Sequence, residues 1–136
     1  MSNIEKTLSI IKPDAVERNL VDEIKNIFLK NKLSILDSKK IHITKDEASE
    51  FYKVHQSKPF YNDLCAYLSS GPIVVMILEG ENAVTANREL MGATNPKDAN
   101  DNTIRKLYGI SIDKNSVHGS DSKDNAKKEI EFFFKN

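Results

Sequence analysis

Hydrophobic and polar positions follow two alternating periods along the chain. Lys6 to Lys12 (KTLSIIK) is apolar at its centre and stops at Pro13, which cannot donate to a strand ladder, so it predicts a buried strand. From Leu20, the apolar residues Leu20, Val21, Ile24, Ile27 and Phe28 recur at the helical period, with Asn19 as candidate cap and Asp22 and Glu23 in the first turn. Leu33 to Ile43 reads as a long strand whose alternation slips near Asp37, as at a bulge. Thr44 to Glu47 (TKDE) is a capping box opening a helix that carries Ala48, Phe51, Tyr52 and His55, and a further short helix is expected from Pro59 to Ser69.

Gly71-Pro72 breaks that helix, and Ile73 to Leu78 (IVVMIL) is the most apolar strand, expected at the centre of the sheet. Asn82 to Met91 reads as a helix ending at Gly92. From Gly92 to Ser116 the pattern is weak, a long connection that a compact domain seldom keeps unless it is used. After a short strand near Val117, Ser122 can cap a last helix in which Ala126, Ile130, Phe133 and Phe134 line one face. Strands alternating with helices over short links make an α/β unit, with an antiparallel sheet and helices packed against it.

Composition narrows the function classes. A chain of 136 residues fits one compact domain, residues 1–136. Lys and Arg total 20 and Asp and Glu total 20, so there is no overall electrostatic attraction to nucleic acid or membrane, and any basic site is local. Cys65 is the single cysteine, which excludes a disulfide framework within one chain and suits a reducing compartment. The N-terminal stretch lacks the long apolar core of a signal peptide, and Ile73 to Leu78 is too short to span a bilayer, so a cytoplasmic location is expected.

The glycines at positions 71, 80, 92, 109 and 119 are too far apart to build a phosphate-cradling loop. A protein of this kind that handles phosphates must use side chains, and arginine suits phosphate oxygens because its planar fork matches them. Of Arg18, Arg88 and Arg105, the last two flank the irregular segment and are the better candidates; an arginine elsewhere is ordinarily a solvated charge.

The segments IIKPDAV (Ile10 to Val16), NRELMGATNP (Asn87 to Pro96), TIR (Thr103 to Arg105) and NSVHGSDS (Asn115 to Ser122) resemble the signature segments of the nucleoside diphosphate kinase family, in the family's order, from about Lys6 to Phe134. The resemblance implies a ferredoxin-like α+β fold, a four-stranded antiparallel sheet with helices covering it. It implies transfer of the terminal phosphoryl group of a nucleoside triphosphate, mainly ATP, to a nucleoside diphosphate by a ping-pong route through phosphorylated His118. Mg²⁺ is the implied cofactor, held by nucleotide phosphates and water with no protein ligand assigned. Homo-oligomers, hexamers or tetramers, are implied; a membrane or nucleic-acid partner is not.

The same resemblance assigns residues one at a time. His118 matches the phosphorylated histidine, and the chemistry suits it, since an imidazole of ordinary pKa near ~6.5 keeps a free lone pair around neutral pH. Glu129 matches the carboxylate that orients the ring, Lys12 the lysine reaching sugar hydroxyl and transferring phosphate, and Asn115 the sugar-binding asparagine. Arg88, Thr94 and Arg105 match the phosphate-binding set. His55 and Leu64 match positions at the α-phosphate and base ends, Phe60 the aromatic under the base and Ile112 the opposing aliphatic. Tyr52 and Ser120 match residues beside the histidine, and Gly119 is the small neighbour expected to leave room for phosphate.

Three positions depart from the family pattern: Asp101-Asn102 where Pro-Gly is frequent, Asp22 where glycine is common, and Leu107 where an acidic residue is common, which bears on the support of Arg105. Fold alone also admits a regulatory or nucleic-acid-binding module. Such a module should show exposed aromatics beside a basic stripe, and here the charges are evenly mixed. A histidine phosphorelay protein would carry its imidazole on a helix of a bundle, whereas His118 is expected after a strand.

Overall fold

The computed structural model describes residues 4–53, 56–59, 61–110 and 116–134. Among these, four strands pair antiparallel into one sheet: β1 (Ile4–Ile11), β2 (Ser34–Ile41), β3 (Ile73–Glu81) and β4 (Val117–Gly119), in the order β2-β3-β1-β4. The helices among them are α1 (Pro13–Glu17), α2 (Val21–Lys30), α3 (Lys45–Phe51), α4 (Tyr61–Leu68), α5 (Ala83–Met91), α6 (Ile104–Tyr108) and α7 (Lys123–Phe134), with a 3₁₀ turn at Pro96–Asp98.

The inner strands β1 and β3 are covered on both faces. On one, Ile11, Val74, Met76, Leu78 and Val117 pack with Ile24 and Phe28 of α2, Ala83 and Met91 of α5, and Ile104 of α6. On the other, Leu8, Ile10, Ile73 and Val75 pack with Ala48, Tyr52, Cys65, Leu68 and Phe133 from the side of α3, α4 and α7. Burial on both faces explains why IVVMIL carries no polar alternation. No helix among the described residues is long and apolar enough to cross a membrane.

Local chemistry sets several boundaries as expected. Thr44 Oγ1 accepts from the Glu47 amide at 3.1 Å while Glu47 Oε1 accepts from the Thr44 amide at 3.0 Å, a complete capping box. The Asn125 amide donates to Ser122 Oγ at 3.1 Å ahead of α7. In β2, Ile35 pairs with Leu78 and Asp37 with Ile77, so Leu36 is the extra residue of a bulge. Gly92 ends α5 at φ 86°, where a Cβ would collide with Thr103.

Other boundaries differ from the sequence reading. Pro13–Glu17 forms a helix of five residues, too short to carry a periodic signal. Asn19 does not cap α2: it turns the chain at φ 60°, and Leu20 stands at the N-cap without a side-chain bond. Asn82 is likewise left-handed, so α5 begins at Ala83, and Glu5 Oε1 from β1 accepts from the Val84 amide at 2.9 Å. The weakly patterned stretch after Gly92 holds the 3₁₀ turn and α6, with Asn102 at φ 71° before Thr103, whose hydroxyl accepts from the Lys106 amide at 3.3 Å. Asparagine tolerates that conformation, so Asp101-Asn102 makes the turn without glycine. Asp22 is exposed in the first turn of α2, where a carboxylate faces the positive end of the helix.

Candidate active site

His118 is the middle residue of β4, opposite Ile10 of β1. Successive carbonyls of a strand point to opposite sides. Ser116 O accepts from the Lys12 amide at 2.8 Å on the β1 side, and Val117 O, facing the open edge, accepts from Arg105 Nη2 at 3.0 Å. The ladder continues past β4, where the Ser120 amide donates to Leu8 O at 3.2 Å. The imidazole therefore rides on a backbone tied on both sides.

One ring nitrogen is already engaged. Nε2 lies 3.2 Å from Glu129 Oε1 of α7, and the two side chains are 22% and 20% exposed, open enough for a ligand and closed enough to fix the ring. The same oxygen accepts from Ser120 Oγ at 2.8 Å. A proton on Nε2 facing the carboxylate leaves the Nδ1 lone pair unshared. Aromatic rings fix the plane: Phe51 meets the imidazole edge-on at 5.3 Å and Tyr52 at 6.2 Å. Burial first, then the charges of Glu129 and Cys65, push the Tyr52 hydroxyl above the usual phenol range, so it remains a neutral donor.

Cationic groups surround this edge. Arg105 is buried, with Nη1 donating to Gly92 O and Nη2 to Val117 O, both at 3.0 Å, while its Nε meets no partner among the described residues. Burial, and after it the charge of Arg88, lower its pKa to about 10, with Tyr52 acting the other way; it stays a cation at neutral pH. Its support comes from carbonyls, and Leu107, half exposed, supplies none. Lys12 is buried at the β1 exit and caps α1, whereas Arg88 and Thr94 are exposed. Leu64 is half-buried and packs against the core that holds Tyr52 and Phe133. Gly119 has a packing reason for its size, since a Cβ would strike Asn87 Nδ2 and Met91 Sδ of α5. His55, Phe60, Ile112 and Asn115 lie outside the described residues.

Two residues near the histidine have no role assigned from the sequence, although Asp121 lies within NSVHGSDS. Phe51 reads as one more apolar position on α3. Asp121 follows the strand, and its carboxyl is held below the usual range first by the Asn125 side-chain amide, 2.6 Å from Oδ1, with burial acting the other way and the charge of Arg88 adding to the lowering.

Three comparisons with known proteins bear on the family and the fold. The family model described as nucleoside diphosphate kinase matches residues 5–136. A nucleoside diphosphate kinase of a Nitratiruptor species is 58% identical over 131 residues, 96% of each chain, and one from Rhizorhabdus wittichii is 56% identical over 96% of this chain and 94% of that protein. The crystal structure of the Aquifex aeolicus nucleoside diphosphate kinase superposes with a TM-score of 0.96 at 39% identity, covering 98% of this chain and 96% of that one. With a matching sheet, a matching family model and relatives identical at more than half their positions, this chain belongs to the nucleoside diphosphate kinase family.

Proposed function

We propose that residues 1–136 act as a single domain whose nucleoside diphosphate kinase reaction runs through a phosphoryl group carried on Nδ1 of His118. The Nδ1 lone pair attacks the terminal phosphorus of the triphosphate; the P–N bond forms, the P–O bond to the leaving diphosphate breaks, and that diphosphate departs with the electron pair. A terminal oxygen of the incoming diphosphate then attacks the same phosphorus and the P–N bond breaks, returning the imidazole. Both half-reactions use one site, so the kinetics are ping-pong.

The observation that carries this reading is the Nε2 contact with Glu129, which leaves Nδ1 as the available nucleophile and offers a carboxylate to the ring as positive charge develops on it. Lys12, Arg88 and Arg105 are the groups for the phosphate oxygens, with Thr94 beside them. Tyr52 and Ser120 keep ring and carboxylate aligned, and Gly119 lets α5 close against β4. His55, Leu64, Phe60 and Ile112 are assigned to the α-phosphate and base, and Asn115 to the sugar. Lys12, Arg88 and Arg105 suit phosphate oxygens, and Mg²⁺, which keeps much of its hydration, would be held chiefly by the nucleotide phosphates and water and would neutralise phosphate charge there. The protein is read as a cytoplasmic homo-oligomer, hexamer or tetramer; Cys65, buried and unpaired with sulfur, fits a reducing compartment.

Incubation with γ-labelled ATP and no acceptor tests the mechanism. The label should become covalent, acid-labile and comparatively base-stable, and should vanish in His118→Ala. Acid-stable label on Ser120 or Ser122, or transfer retained in His118→Ala, would refute it.

A further inference from the structure

Arg18, the arginine that spacing marked as a solvated charge, is tied to three places at once. It stands at the C-cap of α1, where Nε donates to Asp14 O at 3.0 Å and Nη2 lies 3.2 Å from Asp14 Oδ2. The same Nη2 reaches Tyr108 O at the end of α6, at 2.5 Å, and Ser116 Oγ at 3.4 Å. The Asp14 carboxylate, almost fully buried, is engaged on both oxygens: Oδ1 accepts from the Tyr67 hydroxyl of α4, and Oδ2 also accepts from Ser116 Oγ at 3.3 Å. The Asp14 amide in turn donates to Tyr67 Oη at 3.0 Å.

Two contacts of this network, from Arg18 Nη2 and to Asp14 Oδ2, meet the hydroxyl of Ser116, which is fully buried and left-handed at φ 75°. A serine held there is strained, and such strain persists only where the surroundings impose it. Ser116 O takes the Lys12 amide, and His118 follows two residues later. Strand β4 pairs with β1 at three positions only, so the ladder alone is a short hold for a reacting group.

We propose that Asp14, Arg18 and Tyr67 form a positioning clamp for phosphoryl transfer: by holding Ser116, they set where His118 stands relative to Lys12. This rests on the reading of His118 as nucleophile. None of the three need touch the nucleotide. Arginine suits the place because it offers two separated nitrogens, Nε on the Asp14 carbonyl and Nη2 among the Asp14 carboxylate, the Ser116 hydroxyl and the Tyr108 carbonyl, whereas lysine has one nitrogen to place.

The test is rapid-quench phosphorylation of the full chain by saturating Mg²⁺ATP, reading amplitude and rate separately, with ADP affinity measured by calorimetry. Arg18→Ala should lower the rate about tenfold or more at full amplitude while ADP affinity changes less than about threefold, because small displacements at a reacting centre act mainly on the step itself. Arg18→Lys should recover part of the rate, and Tyr67→Phe should show a smaller loss of the same kind. A purely structural role would lower the amplitude, the count of folded sites, at an unchanged rate per site; that result overturns the clamp, as does a rate within twofold of wild type. If Arg18→Ala does not fold, Tyr67→Phe carries the test, and a wild-type rate there overturns it. Absence of acid-labile phosphoenzyme in the wild type would instead remove the reading of His118 itself.

Discussion

Replacing Arg105 by methionine should separate activity from stability. Two effects on folding oppose each other. At neutral pH the guanidinium is charged and buried, and its pKa, lowered to about 10, means that folding disfavours the charged form. The sign follows directly: the unfolded chain binds the proton more tightly, so stability would rise only between about pH 10 and the ordinary value, and below pH 10 the full cost is present. Removing the charge relieves at most roughly 3 kcal/mol. Against this, methionine leaves the carbonyls of Gly92 and Val117 without their 3.0 Å donors. Each such loss costs about 1–3 kcal/mol, two together about 2–6 kcal/mol, so with the relief at its full value the net runs from about 1 kcal/mol of stabilisation to about 3 kcal/mol of destabilisation. Transition-state charge has no such offset: loss of one preorganised donor costs about 3–4 kcal/mol, a factor of 10²–10³ in the rate. The assay pairs urea unfolding with single-turnover phosphorylation and calorimetric ADP affinity, with Arg105→Lys as the charge-retaining control. If ADP affinity and turnover fell by the same factor, Arg105 would be a binding residue and the argument would fail.

Other outcomes follow from the same geometry. Glu129→Gln keeps a hydrogen-bonding group but removes the charge facing Nε2 and should slow phosphoenzyme formation about tenfold, with Glu129→Ala worse because the Ser120 hydroxyl also loses its acceptor, given about 1.5–3 kcal/mol for a bond to a charged group; single-turnover rates within twofold of wild type would contradict it. Phe28→Ala should cost about 3–5 kcal/mol in urea unfolding, since Phe28 is fully buried against the sheet, and a loss below about 1 kcal/mol would show that the site collapses. With the base assigned between Phe60 and Ile112, the common nucleoside diphosphates should serve as acceptors within about two orders of magnitude, because stacking is open to every base; steady-state rejection of purines or of pyrimidines would refute that assignment.

The fold was legible wherever local chemistry decides structure. The capping box at Thr44 and Glu47, the slip beside Asp37 and the cap at Ser122 are each fixed within a few residues of chain, and each stands where the sequence predicts. The two-sided burial of β3 is likewise visible as an unbroken apolar run. Short elements were hidden for a physical reason. Neither α1 nor α6 exceeds five residues, so neither completes two turns, and both owe their shape to what they pack against. Asn19 shows the same limit: capping chemistry and left-handed turns favour the same residue, and only the neighbouring helix decides between them.

The site divides along the same line. His118 and Glu129 are eleven positions apart on different elements, and no periodicity joins them; the motif resemblance did. What motif spacing cannot reach is the support. Asp14 meets Tyr67 across 53 positions and Arg18 meets Ser116 across 98, and in the sequence these are an acidic residue after proline, a tyrosine on a helix face and a surface arginine. The fold turns them to one purpose because β4 is a three-residue edge strand. On the proposed mechanism the edge position leaves the imidazole accessible to a phosphate, and the shortness of the strand leaves the backbone poorly held by pairing alone. Catalysis needs the nucleophile held to a fraction of an ångström. Side chains from other elements supply what the ladder lacks: Arg105 closes the open edge at Val117, the Asp14–Arg18–Tyr67 group fixes Ser116, and Glu129 fixes the ring. Access and rigidity, which conflict in a short strand, are reconciled by long-range polar contacts that only the folded chain assembles.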